Sequence, residues 1–101
     1  MMTKRVEEID GKLVATLIGE LDTAAAAETE KALMPLLNSD GKDIIIDCKE
    51  LEYIASSGLR LLLGILKKAQ DVGSHVVLKN VNDVVKDVLD LTGFVSIFDF
   101  E

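Results

Sequence analysis

The chain contains no tryptophan, one tyrosine and three phenylalanines among its 101 residues. Its core must therefore be aliphatic, and an aromatic stacking platform for single-stranded nucleic acid is excluded. Cations are also scarce: 11 Lys and Arg stand against 18 Asp and Glu, a net charge of −7. Such a surface repels a phosphate backbone, so nucleic acid is not an expected partner. The single cysteine, Cys48, excludes an internal disulfide framework and a cysteine-ligated zinc site. The single histidine, His75, has no second imidazole with which to share a metal. One proline, no low-complexity stretch and no repeat leave no linker signature. Met1 to Glu8 lack the apolar stretch of a signal segment, and no apolar run approaches the ~18 residues that span a bilayer. The expected location is the cytoplasm, without membrane insertion.

What is abundant is aliphatic. Hydrophobic residues make up 49% and mean hydropathy is +0.28, which excludes a disordered chain. At this length one modest core forms, so a single domain over residues 1–101 is expected.

Lys4–Ile9 and Lys12–Gly19 flank Asp10-Gly11, a hairpin turn signal, and should pair antiparallel. Asp22 or Thr23 caps a helix over Ala24–Asn38, with Ala25, Ala26, Thr29, Leu33, Leu36 and Leu37 on one face. Pro35 kinks it or ends it early. Ile44–Cys48 is a short, nearly continuous β-branched run, as in strands covered on both faces, and Lys49–Ile54 reads as a loop. Ser56 or Ser57 caps a second helix that runs to about Val72, burying Leu59, Leu62, Ile65, Leu66 and Ala69, with Gly73 as its stop. His75–Lys79 is a further buried strand. Asn80 or Asn82 caps a third helix, with Val81, Val84, Val85, Val88 and Leu91 inward and Gly93 as its stop. Ile97-Phe98 forms a last short strand. The fold class is therefore α/β: a mostly parallel sheet of about four to five strands, its first strand antiparallel, flanked by three helices.

No catalytic constellation emerges. Ser57 stands where a nucleophile would, but the elbow pattern fails at Ala55 and Leu59. Nothing ties His75 to Ser57 as a base. Phosphate- and dinucleotide-binding glycine patterns are absent, and the carboxylates form no recognisable pair. No cofactor, metal or enzymatic activity is expected.

The most informative segment is Ala55-Ser56-Ser57-Gly58-Leu59-Arg60. As a helix start it offers free backbone N–H groups and the positive end of a macrodipole, so a phosphate on a serine is tolerated there. From Ser57, the residues Arg60, Leu61, Gly64 and Lys68 follow at i+3, i+4, i+7 and i+11 and share a face apart from the Leu62–Leu66–Ala69 stripe. Glycine costs ~1 kcal/mol inside a helix, and close approach of a partner would explain Gly64. Alternatively Leu61 belongs to a broad buried stripe. Cys48 ends a strand as a small core residue.

Three stretches in order, Gly19-Glu20-Leu21-Asp22, Ile45 through Leu59, and Leu89-Asp90-Leu91-Thr92-Gly93-Phe94, give the chain its resemblance to a family. It resembles the STAS domain, and more narrowly the small free-standing bacterial anti-sigma factor antagonists. The resemblance implies that Ser57 is phosphorylated by an anti-sigma factor that is itself a serine kinase. The unphosphorylated form would bind that kinase and free the sigma factor, thereby regulating transcription, and a serine phosphatase would reset the cycle. Asp22 matches the family's aspartate beside the phosphosite. Asp22, Thr23, Ser56, Ser57, Gly58, Arg60, Leu61, Gly64 and Lys68 are the expected partner-binding residues, and the chain is expected to be a monomer or weak dimer. Two departures stand out. Ala55 replaces the family's usual aspartate before the serines, and the sequence ends at Glu101, where many relatives add a helix. A second role, as the STAS subunit of a membrane lipid-transport complex driven by an ATPase, stays open on account of Ala55.

Overall fold

The computed structural model describes residues 2–101; Met1, counted in the expected domain, lies outside the described residues. Asp10 and Gly11 both take positive φ, 52° and 78°, the two-residue turn whose twist matches a hairpin. They join β1 (Met2–Ile9) to β2 (Lys12–Leu21), paired antiparallel from Met2↔Gly19 to Ile9↔Lys12. The helix expected over Ala24–Asn38 is divided at Leu33 into α1 (Thr23–Ala32) and the single turn α2 (Met34–Leu37). Pro35 occupies the first turn of α2, where its missing N–H costs nothing. Thr29, Leu33 and Leu36 are buried from this region.

β3 runs through Ile44–Ile54, so the loop expected over Lys49–Ile54 is strand instead. The reason lies in β2, which continues two residues beyond the expected Gly19 and supplies rungs such as Ile18↔Glu50 and Leu21↔Ile54 past two bulges. Pairing overrides the charged composition, and Leu51 and Ile54 are buried. The helix α3 (Ser56–Asp71) buries Leu59, Leu62, Ile65, Leu66 and Ala69, the expected stripe. β4 (Val76–Lys79) begins one residue later than expected, because the His75 N–H is taken by Asp43 Oδ1 at 3.1 Å. Asn82 caps α4 (Asp83–Thr92) by accepting from Val85 N, and Gly93 ends it at φ 79°.

Two expectations fail after β4. Val84 and Leu91 are 54% and 88% exposed, not inward; Val85 and Leu89 fill the core from α4. A helix buries one stripe, and Leu89 rather than Leu91 lies at four residues from Val85. The last strand is β5 (Asp99–Phe100), beyond a 3-10 turn at Phe94–Ser96, while Phe98 turns into the core.

The strand order is β1-β2-β3-β4-β5, antiparallel at the first pair and parallel thereafter. This order never reverses, so right-handed crossovers place every connecting helix on the same face of the sheet. Burial follows that geometry. Ile44, Ile46, Cys48, Val76 and Leu78 are buried, while the alternating Ile45, Asp47, Val77 and Lys79 are only half-buried. The aliphatic runs of β3 and β4 are thus covered on one face, not on both. Among the described residues no helix is long and apolar enough to cross a membrane.

Two buried groups give measurable handles. Thr29 is fully buried and its hydroxyl finds no partner among the described residues. An unsatisfied buried hydroxyl costs about 1–3 kcal/mol. Thr29→Val keeps the branched shape without the hydroxyl and is expected to stabilise the fold by about 1 kcal/mol, read as a raised urea midpoint at constant slope.

Burial pushes the Cys48 thiol from 9.0 up to about 12, and the neighbouring Asp47 carboxylate adds to the rise. The folded chain therefore keeps a proton that the unfolded chain releases. This contribution is whole below pH 9 and is lost as pH rises towards about 12. The slope is about 1.4 kcal/mol per pH unit. Alkaline unfolding curves are expected to be shallower for Cys48→Ala than for the unsubstituted chain in that window.

Candidate functional site

The end of β3 leads directly into α3. The Ala55 N–H donates to the Leu21 carbonyl at 2.9 Å, the last bond tying this joint to β2, and the Ala55 carbonyl accepts from Leu59 N at 3.0 Å. Ala55 is consequently the N-cap of α3, in extended backbone, and its methyl group supplies no capping bond. Ser56 and Ser57 are the first two helical residues, not the cap expected of one of them, because the strand's last rung falls at residue 55. Restoring an acceptor with Ala55→Asp is expected to stabilise the fold by about 0.5–2 kcal/mol, measured by urea unfolding.

Ser57 is half-buried, and its hydroxyl donates to Thr23 Oγ1 at 3.4 Å. Thr23 opens α1, whose N-cap Asp22 accepts from Ala25 N at 2.8 Å. Asp22 is thus engaged in holding α1 in place. The N-termini of two helices converge on this hydroxyl pair, and each contributes the positive end of its macrodipole.

Beside Ser57 an open groove of about 410 Å³ lies between α1 and α3. Its apolar lining is Ala26 and Ala27 from α1, Leu37 from α2, and Leu61 and Gly64 from α3. Thr23, Glu30, Ser57 and Arg60 supply the polar lining. Leu61 does both things foreseen for it: half-buried, it packs against the core and lines the groove. A Cβ on Gly64 would meet nothing within 4 Å, so the fold itself does not require glycine there.

The structure therefore brings together Thr23, Ser57, Arg60, Leu61 and Gly64. Ser56 is exposed beside them. Lys68 lies apart, in an adjoining depression with Leu37, Asn38, Ser39, Asp40 and Val72. Gly58 faces inward: a Cβ there would fall 2.8 Å from Leu21 Cγ and 2.9 Å from Ile54 Cγ1, so its smallness serves the packing of α3 on the sheet. Ala26, Ala27, Glu30 and Leu37 were not foreseen as groove residues. The run of four alanines at Ala24–Ala27 was the available signal, since small side chains cover a helix without filling the space beside it.

The model of the STAS domain family matches residues 3–101. The chain belongs to the STAS domain family. A five-stranded mixed sheet with helices is the architecture expected of a STAS domain, and relatives share it along nearly the whole length. BtrV of Bordetella bronchiseptica, named as a candidate anti-sigma factor antagonist, is 33% identical over 97 residues, covering 96% of this chain and 84% of that protein. The anti-sigma-B factor antagonist of Bacillus subtilis is 28% identical over 94 residues, 93% of this chain and 85% of that protein. Among solved structures, a candidate anti-sigma factor antagonist from Thermotoga maritima matches with a TM-score of 0.86 at 25% identity, over 96% of this STAS domain and 84% of that chain. All three are named as antagonists of anti-sigma factors.

Proposed function

We propose that this STAS domain is an anti-sigma factor antagonist acting in the cytoplasm. In this reading it binds an anti-sigma factor that is also a serine kinase, through the α1–α3 groove, and so frees a sigma factor for transcription. Phosphorylation of Ser57 by that kinase breaks the complex, and a serine phosphatase restores it. The observation that carries the reading is the placement of the Ser57 hydroxyl at the start of α3, on the lining of an open apolar groove. One modification there changes the charge of a whole docking surface without touching the core. The names of the relatives support the same role.

The test is affinity purification of the tagged chain from its own cells, with intact-mass measurement before and after phosphatase treatment. A serine-kinase anti-sigma factor should co-purify with the unmodified form, and a phosphatase-sensitive phosphate should map to Ser57. Recovery of a transporter ATPase with an unmodified Ser57 would refute this reading and assign the chain to lipid transport, the role that Ala55 left open.

A further inference from the structure

The helix α4 carries two parallel rows beside its buried stripe. Val84, Val88 and Leu91 recur at i, i+4 and i+7, with Val84 and Leu91 54% and 88% exposed. Asp83, Asp87 and Asp90 each precede one of them, repeat the same spacing and are exposed. Residues so spaced line up along the helix, so Val84 and Leu91 stand exposed on either side of Val88, which is half-buried and packs against the core, with an acidic row on the adjoining side. Val85 and Leu89, on the other side of the apolar row, enter the core. Among the described residues no cation lies within ion-pair distance of these three carboxylates, the helix's own Lys86 included.

We infer that this face of α4 docks a basic amphipathic helix of a partner protein. Covering exposed leucine and valine is favourable, and three unpaired carboxylates in register with them select an occupant whose apolar row is flanked by Lys or Arg. A second copy of the chain does not fit. It would set two acidic rows against each other in molecules that each carry a net charge of −7. The face shares no residue with the α1–α3 groove, so the two surfaces can be occupied together and tested separately.

The test titrates a Leu/Lys amphipathic helical peptide, and a Leu/Glu counterpart, into the isotope-labelled full chain while amide shifts are followed by NMR. The Leu/Lys peptide is expected to shift amides across Asp83–Thr92 and leave those of Ser57–Gly64 unmoved; the Leu/Glu peptide is expected to shift neither set. The Kd of the Leu/Lys peptide is expected to weaken by about tenfold in the triple variant Asp83→Asn, Asp87→Asn, Asp90→Asn, by a similar factor in Leu91→Ser, and progressively with added salt. Thermal melting verifies that each variant is folded. Shifts confined to other surfaces, or an affinity indifferent to both variants, would overturn the inference. So would a concentration-dependent dimer in ultracentrifugation that Leu91→Ser abolishes, because it would give the face to self-association.

Discussion

Once Ser57 carries a phosphoryl group, the chain is expected to bind its anti-sigma factor at least about 100-fold more weakly, with no fall in melting temperature. The modification adds about −1.5 to −2 charges at neutral pH. A partner seated in the α1–α3 groove must strip water from whatever lines it, and Ser57 lines it directly. Burying a charge without a matched cation costs several kcal/mol, which is the source of the expected factor. The free protein bears the same charge easily. The first N–H groups of α3 have no side-chain cap, since Ala55 offers none, and Ser57 lies within that first turn. Titration calorimetry of the phosphorylated and unmodified chains against the purified anti-sigma factor measures the first half, and differential scanning calorimetry the second. Equal affinities would remove Ser57 from the interface. A lowered melting temperature would mean that the phosphate disrupts α3 itself.

Two glycines on α3 are expected to respond in opposite directions. Gly58→Ala should destabilise the fold by about 1–3 kcal/mol, the usual cost of overpacking. Its Cβ would come within 2.8 Å of Leu21 and 2.9 Å of Ile54, side chains that are 0% and 1% exposed and must shift to admit it. Gly64→Ala should stabilise by up to about 1 kcal/mol, because alanine is the better helix former and no atom lies within 4 Å of the added methyl. Urea unfolding of both variants reads the two signs in one experiment. A neutral Gly58→Ala would show that the ends of β2 and β3 yield more readily than their burial implies. At the functional level the roles exchange. Gly64→Leu is expected to fold normally and to fill the groove, abolishing partner binding, and a Gly64→Leu chain that binds the proposed anti-sigma factor normally would exclude the groove as the docking site.

Signals of short range carried well into the structure. Asp10-Gly11 turned the hairpin, Asn82 capped α4, Gly93 ended it, and the spacing of Leu59, Leu62, Ile65 and Leu66 marked the buried stripe of α3. Each of these rests on φ and ψ preferences or on contacts within about four residues. The failures share a different cause. Lys49, Glu50 and Glu52 look like a loop by composition, yet their backbone is strand because β2 pairs with it from far along the chain. Val84 and Leu91 are as aliphatic as Val85 and Leu89, and composition does not say which flank of α4 the sheet receives. The candidate site divides along the same line. Ser57, Arg60, Leu61 and Gly64 belong to one helix, and their spacing placed them together. Glu30, Ala26, Ala27 and Leu37 come from other elements and join the groove only because α1 and α2 lie against α3.

The residues in order were enough to specify a mixed α/β sheet, the start of a helix at Ser56-Ser57 and a family likeness, since turns, caps and periodicities are written in neighbouring residues. Strand order was not among these local properties. That the order runs from β1 to β5 without reversal leaves one face of the sheet open. That α1 settles beside α3 opens the groove, and the last rung to β2 makes Ala55 the cap. These outcomes depend on aliphatic area buried between segments distant in sequence, a quantity that belongs to the whole molecule and to no single stretch of it.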